Sequence, residues 1–315
     1  MRIIQYHEYG DPSVLQLVET DRPVPGDKQV LVRVRAVGIN PVDWKIRRGN
    51  LKIADGRGFP KAVGCELAGE VVSWGDQVEG YAVGDRVFGA VPFDRLGALA
   101  EYALVDAQQL HPIPGDLPYA DAAAVVMVGS TALQAFTDEV PELTGKQVLV
   151  NGASGGVGHL AVQIAKLEGA HVTATAGSGH QEFVASLGPQ QTLDYNTVDV
   201  REHTGRYDAI LDTSGKLPWS DAKPMLRKGG TYIDLQTGLK AVVGSFVNNI
   251  FSSKTHDIMM VKVKKASLAT LATFIERGEL KPTVGLRFAF EEYREAYRQL
   301  ESGDISHVGK AVFTI

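Results

Sequence analysis

The chain has 315 residues, with 37 acidic and 32 basic side chains for a net charge of −5, and 44% of it is hydrophobic. That length exceeds one typical core, so two domains are expected, and the scattered basic residues argue against a nucleic-acid surface. A single cysteine, Cys65, excludes an internal disulfide and any zinc site built on paired thiolates.

The N-terminal "MRIIQYHEYG" has one Arg and too few consecutive aliphatics for a signal peptide. No apolar run approaches the roughly 20 residues that span a bilayer. A soluble cytoplasmic protein without membrane contact is expected. The first hundred residues are rich in strand patterns. "QVLVRVRAVGIN" alternates as a half-buried strand does, and "ELAGEVVSWG" and "DRVFGAV" follow between Gly-Asp punctuation. At Gly84-Asp85 a turn is expected in which the Asp side chain closes the loop. From Pro118 the pattern becomes Ala-rich and helical in "YADAAAVVMVGSTALQAFTDEV".

Strands and helices then alternate. "QVLVNGA", "HVTATAG", "QTLDY", "YDAILDTSG" and "GGTYIDLQ" read as strands, with helical runs such as "GHLAVQIAKLEG" and "HQEFVASLG" between most of them. Short aliphatic strands joined by helices imply a parallel sheet covered on both faces. The tail gives two helices, "SLATLATFIERGEL" and "YREAYRQLESG", and a strand, "GKAVFTI", expected to fold back onto the first domain. The expected fold class is α/β: a doubly wound Rossmann sheet (residues 123–264) inserted in a discontinuous β-rich domain (1–122 plus 265–315).

The glycine turn carries the first chemical signal. "QVLVNGA" ends at Gly152, and Gly152, Gly155 and Gly158 follow G-x-x-G-x-x-G spacing before a helix, with Gly156 in addition. Glycines at a strand–turn–helix junction let the backbone approach a pyrophosphate, whose charge the helix N-terminus binds. Ser154, Gly155, Gly156 and Val157 are the expected cradle. The alternative is a turn that only allows close strand–helix packing. NAD-binding sheets place an acid about 20 residues further on to hold the ribose 2′-hydroxyl. Residues 173–178 here read "TATAGS", with no carboxylate. That absence favours NADP(H), with Ser178, His180 and Tyr195 as the nearby donors.

These motifs together resemble the medium-chain dehydrogenase/reductase superfamily, in its zinc-independent, ζ-crystallin-like quinone oxidoreductase and enone reductase branch. The resemblance runs along nearly the whole chain, through "GINPVDWKIRRG", "GCELAGEVVSWGDQV", "VGDRV", "GSTALQA", "NGASGGVG" and "VGKAVF". It implies that the β-rich domain is GroES-like and catalytic. Zinc-dependent relatives carry a Cys and a His-Glu pair where this chain has Asn40 and Cys65-Glu66, and they carry a four-cysteine lobe that this chain lacks. No metal is therefore expected.

The resemblance further implies NADPH-dependent hydride transfer to a small electrophilic acceptor, a quinone or an α,β-unsaturated carbonyl such as an enone or 2-alkenal. The cofactor is expected to lie along the glycine turn, with its nicotinamide in an interdomain cleft. Asn40 would orient a carbonyl or the nicotinamide ribose, or else be a turn residue before Pro41. Lys45 would polarise the acceptor, with a solvated lysine as the alternative. Glu66 and Cys65 are read as buried structural groups, and Trp44 as either a wall or a packed ring. Thr131 would reach the nicotinamide end of the cofactor, or cap a helix N-terminus. Thr213, Ser214, Leu235 and Thr237 end strands where a dinucleotide binds. Met260 would flank the nicotinamide, and Lys310 would point toward the cofactor. Tyr6, Tyr81 and Phe93 are candidate pocket residues. A homodimer is expected through the sheet edge, with β-prone residues 241–251 as the interface segment. Competing readings are an enoyl reductase of acyl or polyketide substrates, and an NADPH-binding redox sensor or RNA-binding protein with incidental activity.

Overall fold

The computed structural model describes every residue except 52–55, 57, 141, 237–238 and 251, with backbone alone for 239–241. The chain divides into two compact units: Met1–Met127 with Val263–Arg277 and Pro282–Ile315, and Val128–Lys262 with Gly278–Lys281. These limits differ from the expected 122/123 and 264/265 for local reasons. Helix Tyr119–Ala123 stays with the first unit, where the Tyr119 hydroxyl donates to Glu70 Oε1 at 3.0 Å. Residues Gly278–Lys281 join the second, where Gln163 bonds both the backbone N–H and the carbonyl of Lys281.

The first unit opens with β1 (Arg2–Tyr6), β2 (Gln16–Glu19), β3 (Gln29–Gly38), α1 (Pro41–Arg47), β4 (Lys61–Ala62) and β5 (Glu66–Trp74). Strands β6 (Arg86–Ala90), β7 (Tyr102–Asp106) and β8 (Leu110–Pro112) follow, then α2 (Tyr119–Ala123); α3 (Val126–Thr137) begins in the first unit and runs on in the second. The second unit contains β9 (Gln147–Asn151), α4 (Gly156–Leu167), β10 (His171–Ala176), α5 (Gln181–Ser186), β11 (Gln191–Asp194) and β12 (Tyr207–Asp212). It continues with α6 (Trp219–Met225), β13 (Leu226–Asp234), α7 (Leu239–Ile250) and β14 (Thr255–Ile258). Finally α8 (Lys265–Glu276), β15 (Val284–Ala289), α9 (Tyr293–Ser302) and β16 (Lys310–Thr314) belong to the first unit.

In the first unit a sheet of order β15-β16-β3-β5-β6-β8, with β7 also on β3, is antiparallel except for β15–β16. Strand β3 is central, so its buried residues include Val30, Val32 and Val34 on one face and Leu31 on the other. At the expected turn, Asp85 Oδ2 accepts the Ala82 N–H at 2.8 Å, closing the loop as its side-chain length allows.

In the second unit all six strands are parallel, in the order β11-β10-β9-β12-β13-β14. That is the 3-2-1-4-5-6 order of a dinucleotide-binding sheet, which reverses direction between β9 and β12. The fully buried Val148, Leu149 and Val150 make β9 the aliphatic centre. One expectation fails here: residues 242–250 are helical, within α7. The exposed Val242, Val243, Phe246, Val247 and Ile250 recur at intervals of four, a helix period that overrides their β propensity. Among the described residues, no helix is long and apolar enough to cross a membrane.

Candidate functional site

The glycine turn follows β9, and its shape requires its glycines. Gly152 has φ +86°, a left-handed conformation that a Cβ disfavours. A Cβ on Gly158 would lie 2.3 Å from the Gly152 carbonyl oxygen, so only glycine lets α4 start this close to the strand. The N-cap of α4, Gly155, offers no side-chain oxygen to the first-turn amides. Such amides, at the positive end of a 12-residue helix, suit an anion.

A polar network holds the turn. The Thr175 hydroxyl donates to Asn151 Oδ1 at 2.6 Å and accepts the Gly152 N–H at 3.1 Å. Asn151 Nδ2 donates to Asp212 Oδ1 and to the Ser214 hydroxyl, both at 2.9 Å. Ser214 in turn donates to Asp212 Oδ1 at 2.7 Å, while Thr213 donates to the carbonyls of Asn151 and Gly152 at 2.8 and 2.9 Å. Thr213 and Ser214 therefore lie beside the glycine turn, where the strand order reverses. Asn151, Thr175 and Asp212 were not singled out from the sequence. The rule that ligands bind at strand C-termini was the available signal, since Asn151 and Asp212 end neighbouring strands.

At the end of β10 the structure gathers Ser154, His180, Ser178 and Tyr195. His180 Nδ1 lies 3.2 Å from the Ser154 hydroxyl. Tyr195 is 59% exposed and reaches over Gly177, where a Cβ would meet its hydroxyl at 2.7 Å. Residues 173–178 are free of acids, but the register Ala176↔Asp194 brings a carboxylate to their side. Hydrogen bonds from the Ser178 hydroxyl and then the Asn196 backbone N–H hold Asp194 below the usual carboxylate range.

Other expected cofactor residues are placed less decisively. Thr131 is buried in the interior of α3 and so does not cap its first turn. Leu235 follows β13, Met260 is 67% exposed, and Thr237 lies outside the described residues.

In the first unit the expected catalytic residues meet a buried charge cluster. Asn40 Nδ2 donates to Glu66 Oε1 at 2.6 Å and to Cys65 Sγ at 3.3 Å, while Asn40 Oδ1 accepts from Lys310 Nζ. Lys310 Nζ also pairs with Glu66 Oε1 at 2.9 Å, and Glu66 Oε2 accepts the Met127 N–H at 2.6 Å, in the first turn of α3. Gly38 makes room for this carboxylate, because a Cβ there would lie 2.1 Å from Glu66 Oε1. Both ends of the Asn40 amide are thus engaged internally. Lys310, expected to serve the cofactor, is instead buried with Glu66 as its counter-charge, as a desolvated ammonium requires.

Asp43 Oδ2 accepts the Asn40 N–H at 2.9 Å, which starts α1, while Oδ1 has no partner among the described residues. Burial pushes Asp43 up to about 7, against the opposing effects of the Asn40 N–H and the Lys310 charge. Burial also raises the Cys65 thiol, followed by the charges of Asp43 and Glu66. Lys45 is half-buried, and its ammonium has no partner among the described residues. Trp44 packs edge-on against Tyr297, with centroids 6.5 Å apart, so it is a packed ring. Tyr6 and Phe93 line a 120 Å³ pocket in this unit, well below the roughly 300–1,000 Å³ of ligand sites. Tyr81 instead packs on the core and donates to the Leu110 carbonyl at 3.2 Å.

Known proteins share both parts. The alcohol dehydrogenase GroES-like domain matches residues 26–115, and the zinc-binding dehydrogenase domain matches residues 187–313. A chloroplast envelope quinone oxidoreductase homolog of Arabidopsis thaliana is 34% identical over 96% of this chain and 95% of its own. This chain belongs to the medium-chain dehydrogenase/reductase superfamily. It is an oxidoreductase of a superfamily that binds NAD(P). The 2-methylene-furan-3-one reductase of Solanum lycopersicum is 31% identical over 96% of this chain and 76% of its own. Quinone oxidoreductase of Escherichia coli, solved in complex with NADPH, superposes with a TM-score of 0.87 at 25% identity, covering 100% of each chain.

The two groups that such a superfamily uses fare differently against these residues. The glycine turn, its uncapped helix and its polar neighbours fit a dinucleotide. Zinc does not fit: the Cys65 thiol is held protonated, both Glu66 oxygens are taken, and Asn40 is a weak amide ligand. Among the described residues, no group of three or more His, Cys, Asp or Glu side chains could hold a metal.

Proposed function

We propose that this chain reduces quinones or α,β-unsaturated carbonyls with hydride from NADPH and without zinc. The carrying observation is that a dinucleotide turn accompanies a Lys310 ammonium bonded to Asn40 and Glu66, the would-be metal position. Without a Lewis acid, oxidation of an unactivated alcohol lacks its main electrostatic aid, whereas an electron-poor acceptor does not need one. The names of the Arabidopsis and Solanum relatives agree with that acceptor class.

When bound, NADPH supplies the hydride. Ser154 and the amides of Gly155, Gly156 and Val157 are assigned to the pyrophosphate, with Thr213 and Ser214 beside it at the strand ends. Ser178, His180 and Tyr195 are assigned to the adenosine ribose. Thr131, Leu235, Thr237 and Met260 are assigned to the remainder of the dinucleotide. Lys45 is the group assigned to the developing oxyanion, because its ammonium is uncommitted among the described residues. Asn40 is assigned a positioning role, since Glu66 and Lys310 fix its amide.

We further propose a homodimer. Strand β14 is the open edge of the parallel sheet, and neighbouring α7 exposes Val242, Val243, Phe246, Val247 and Ile250. An unpaired edge and an apolar stripe are both better covered. Sedimentation is expected to give twice the chain mass, and Phe246→Glu to give monomers; a monomeric wild type refutes this interface.

The activity test mixes purified chain with NADPH and a para-quinone, an ortho-quinone, a 2-alkenal and a cyclic enone, each with and without a chelator. Acceptor-dependent NADPH loss that ignores the chelator is expected. Chelator-sensitive turnover, or tight NADPH binding with no turnover on any acceptor, would sink the proposal.

A further inference from the structure

Helix α1 carries Asn40 at its N-cap and Lys45 in its body, and α9 packs against it through Trp44 and Tyr297. At about 100° per residue, Asp43 and Arg47 share one face of α1 and Lys45 projects from the opposite one. The inner face is closed by charge as well as by rings. Glu301 of α9 pairs with Arg47 Nη2, the two side chains being 2% and 1% exposed, and with Arg48 Nη2 at 2.6 Å. Arg47 also lies over the Tyr297 ring, 5.7 Å from its centroid, and its carbonyl accepts the Gly10 N–H at 3.1 Å.

Such a pair is a poor stabiliser. Desolvating a guanidinium and a carboxylate offsets much of their attraction, and apolar groups of similar volume are often as stable or more so. The balance is less favourable still at Arg47, whose Nε and Nη1 have no hydrogen-bond partner among the described residues. A directional contact across 254 residues supplies what aliphatic packing lacks. It fixes the rotation of α1 about its own axis, and with it the direction of the side chain on the far face.

We propose that Glu301 is a positioning residue for the reduction. Through Arg47 and Arg48 it sets the rotation of α1, and so holds the Lys45 ammonium where the oxyanion develops. The inference rests on the role assigned to Lys45 above.

The test follows reduction of a para-quinone by NADPH in the full chain, with thermal unfolding read alongside. Arg47→Met combined with Glu301→Leu removes the pair without stranding a charge. Its thermal midpoint is expected within about 4 °C of wild type, its stabilisation by NADPH unchanged, and its kcat lower on the order of tenfold. In a Lys45→Met background the same two substitutions are expected to change kcat about twofold or less, because the group they misplace is gone. Should the paired variant not fold, Glu301→Asp keeps the charge on a shorter arm and is read through the same cycle. Wild-type kcat in the folded variant, or an equal loss with and without Lys45, overturns the role of Glu301 and leaves that of Lys45 standing. If Lys45→Met alone leaves kcat unchanged, the role of Lys45 falls and the positioning role goes with it.

Discussion

Replacing Lys310 by methionine removes one charge from a pair whose side chains are 4% and 0% exposed and whose Nζ–Oε1 distance is 2.9 Å. Glu66 would keep two donors, Asn40 Nδ2 and the Met127 N–H, each at 2.6 Å. Neither carries a full charge, so a desolvated carboxylate would stay uncompensated. Breaking a buried pair from one side costs about 3–5 kcal/mol. For a folding unit of this size, that lowers the thermal midpoint by about 6–20 °C. Urea and thermal unfolding followed by circular dichroism at pH 7 would measure both quantities. The second variant needed is Lys310→Met combined with Glu66→Gln. A neutral amide can donate where the carboxylate accepted, and the Asn40 amide can turn over to match it. Most of the loss is therefore expected to return, because only the unpaired charge was expensive. The reasoning is refuted if the single substitution costs under about 1 kcal/mol, or if the double variant is no more stable than the single.

Gly158→Ala would force a Cβ to 2.3 Å from the Gly152 carbonyl oxygen, and is expected to cost about 1–3 kcal/mol and to abolish the thermal stabilisation given by NADPH; an unchanged NADPH-induced shift would contradict the turn's assigned role. Asp43 holds its proton up to about pH 7 when folded, whereas the unfolded chain releases it near pH 4. Over that window the folded state binds more protons, so stability falls as pH rises, and Asp43→Asn is expected to flatten the slope of urea midpoints between pH 4 and 8. Parallel slopes in the two proteins would remove Asp43 as the cause. Cys65 is fully buried and its thiol is raised, so a disulfide reagent is expected to label it only after denaturation; rapid native labelling would show that the cluster is open to solvent.

Local pattern carried much of the architecture. The aliphatic runs of β9, β10 and β12, each short and followed by turn chemistry, read directly as strands of a parallel sheet, and the glycine spacing located its ligand end. The loop closure by Asp85 was equally legible, because a turn involves only neighbours in sequence. What escaped depends on distant pairing. Lys310 meets Asn40 across 270 residues, and no local periodicity around either residue announces that contact. Asp194 comes beside Ser178 only through the register of β10 with β11, so a scan for acids within residues 173–178 passes over it. The helix α7 was misread for a different reason. Its valines and phenylalanine have strand propensities, but their recurrence at intervals of four, with Ser245 buried beneath, belongs to a helix.

The Lys310 ammonium also bears on how this chain can change. Installing cysteine at 40 and histidine at 65 would recreate the ligand types of zinc-dependent relatives, but the first would cost Lys310 one of its two partners and the second would crowd a site without solvent. While Lys310 remains, an incoming dication meets a positive charge 2.9 Å from the carboxylate it would use. If Lys310 is lost first, the carboxylate is stranded before any metal can neutralise it. Stepwise change at these positions therefore passes through a destabilised intermediate, so an engineer seeking a metal site would have to change three positions at once.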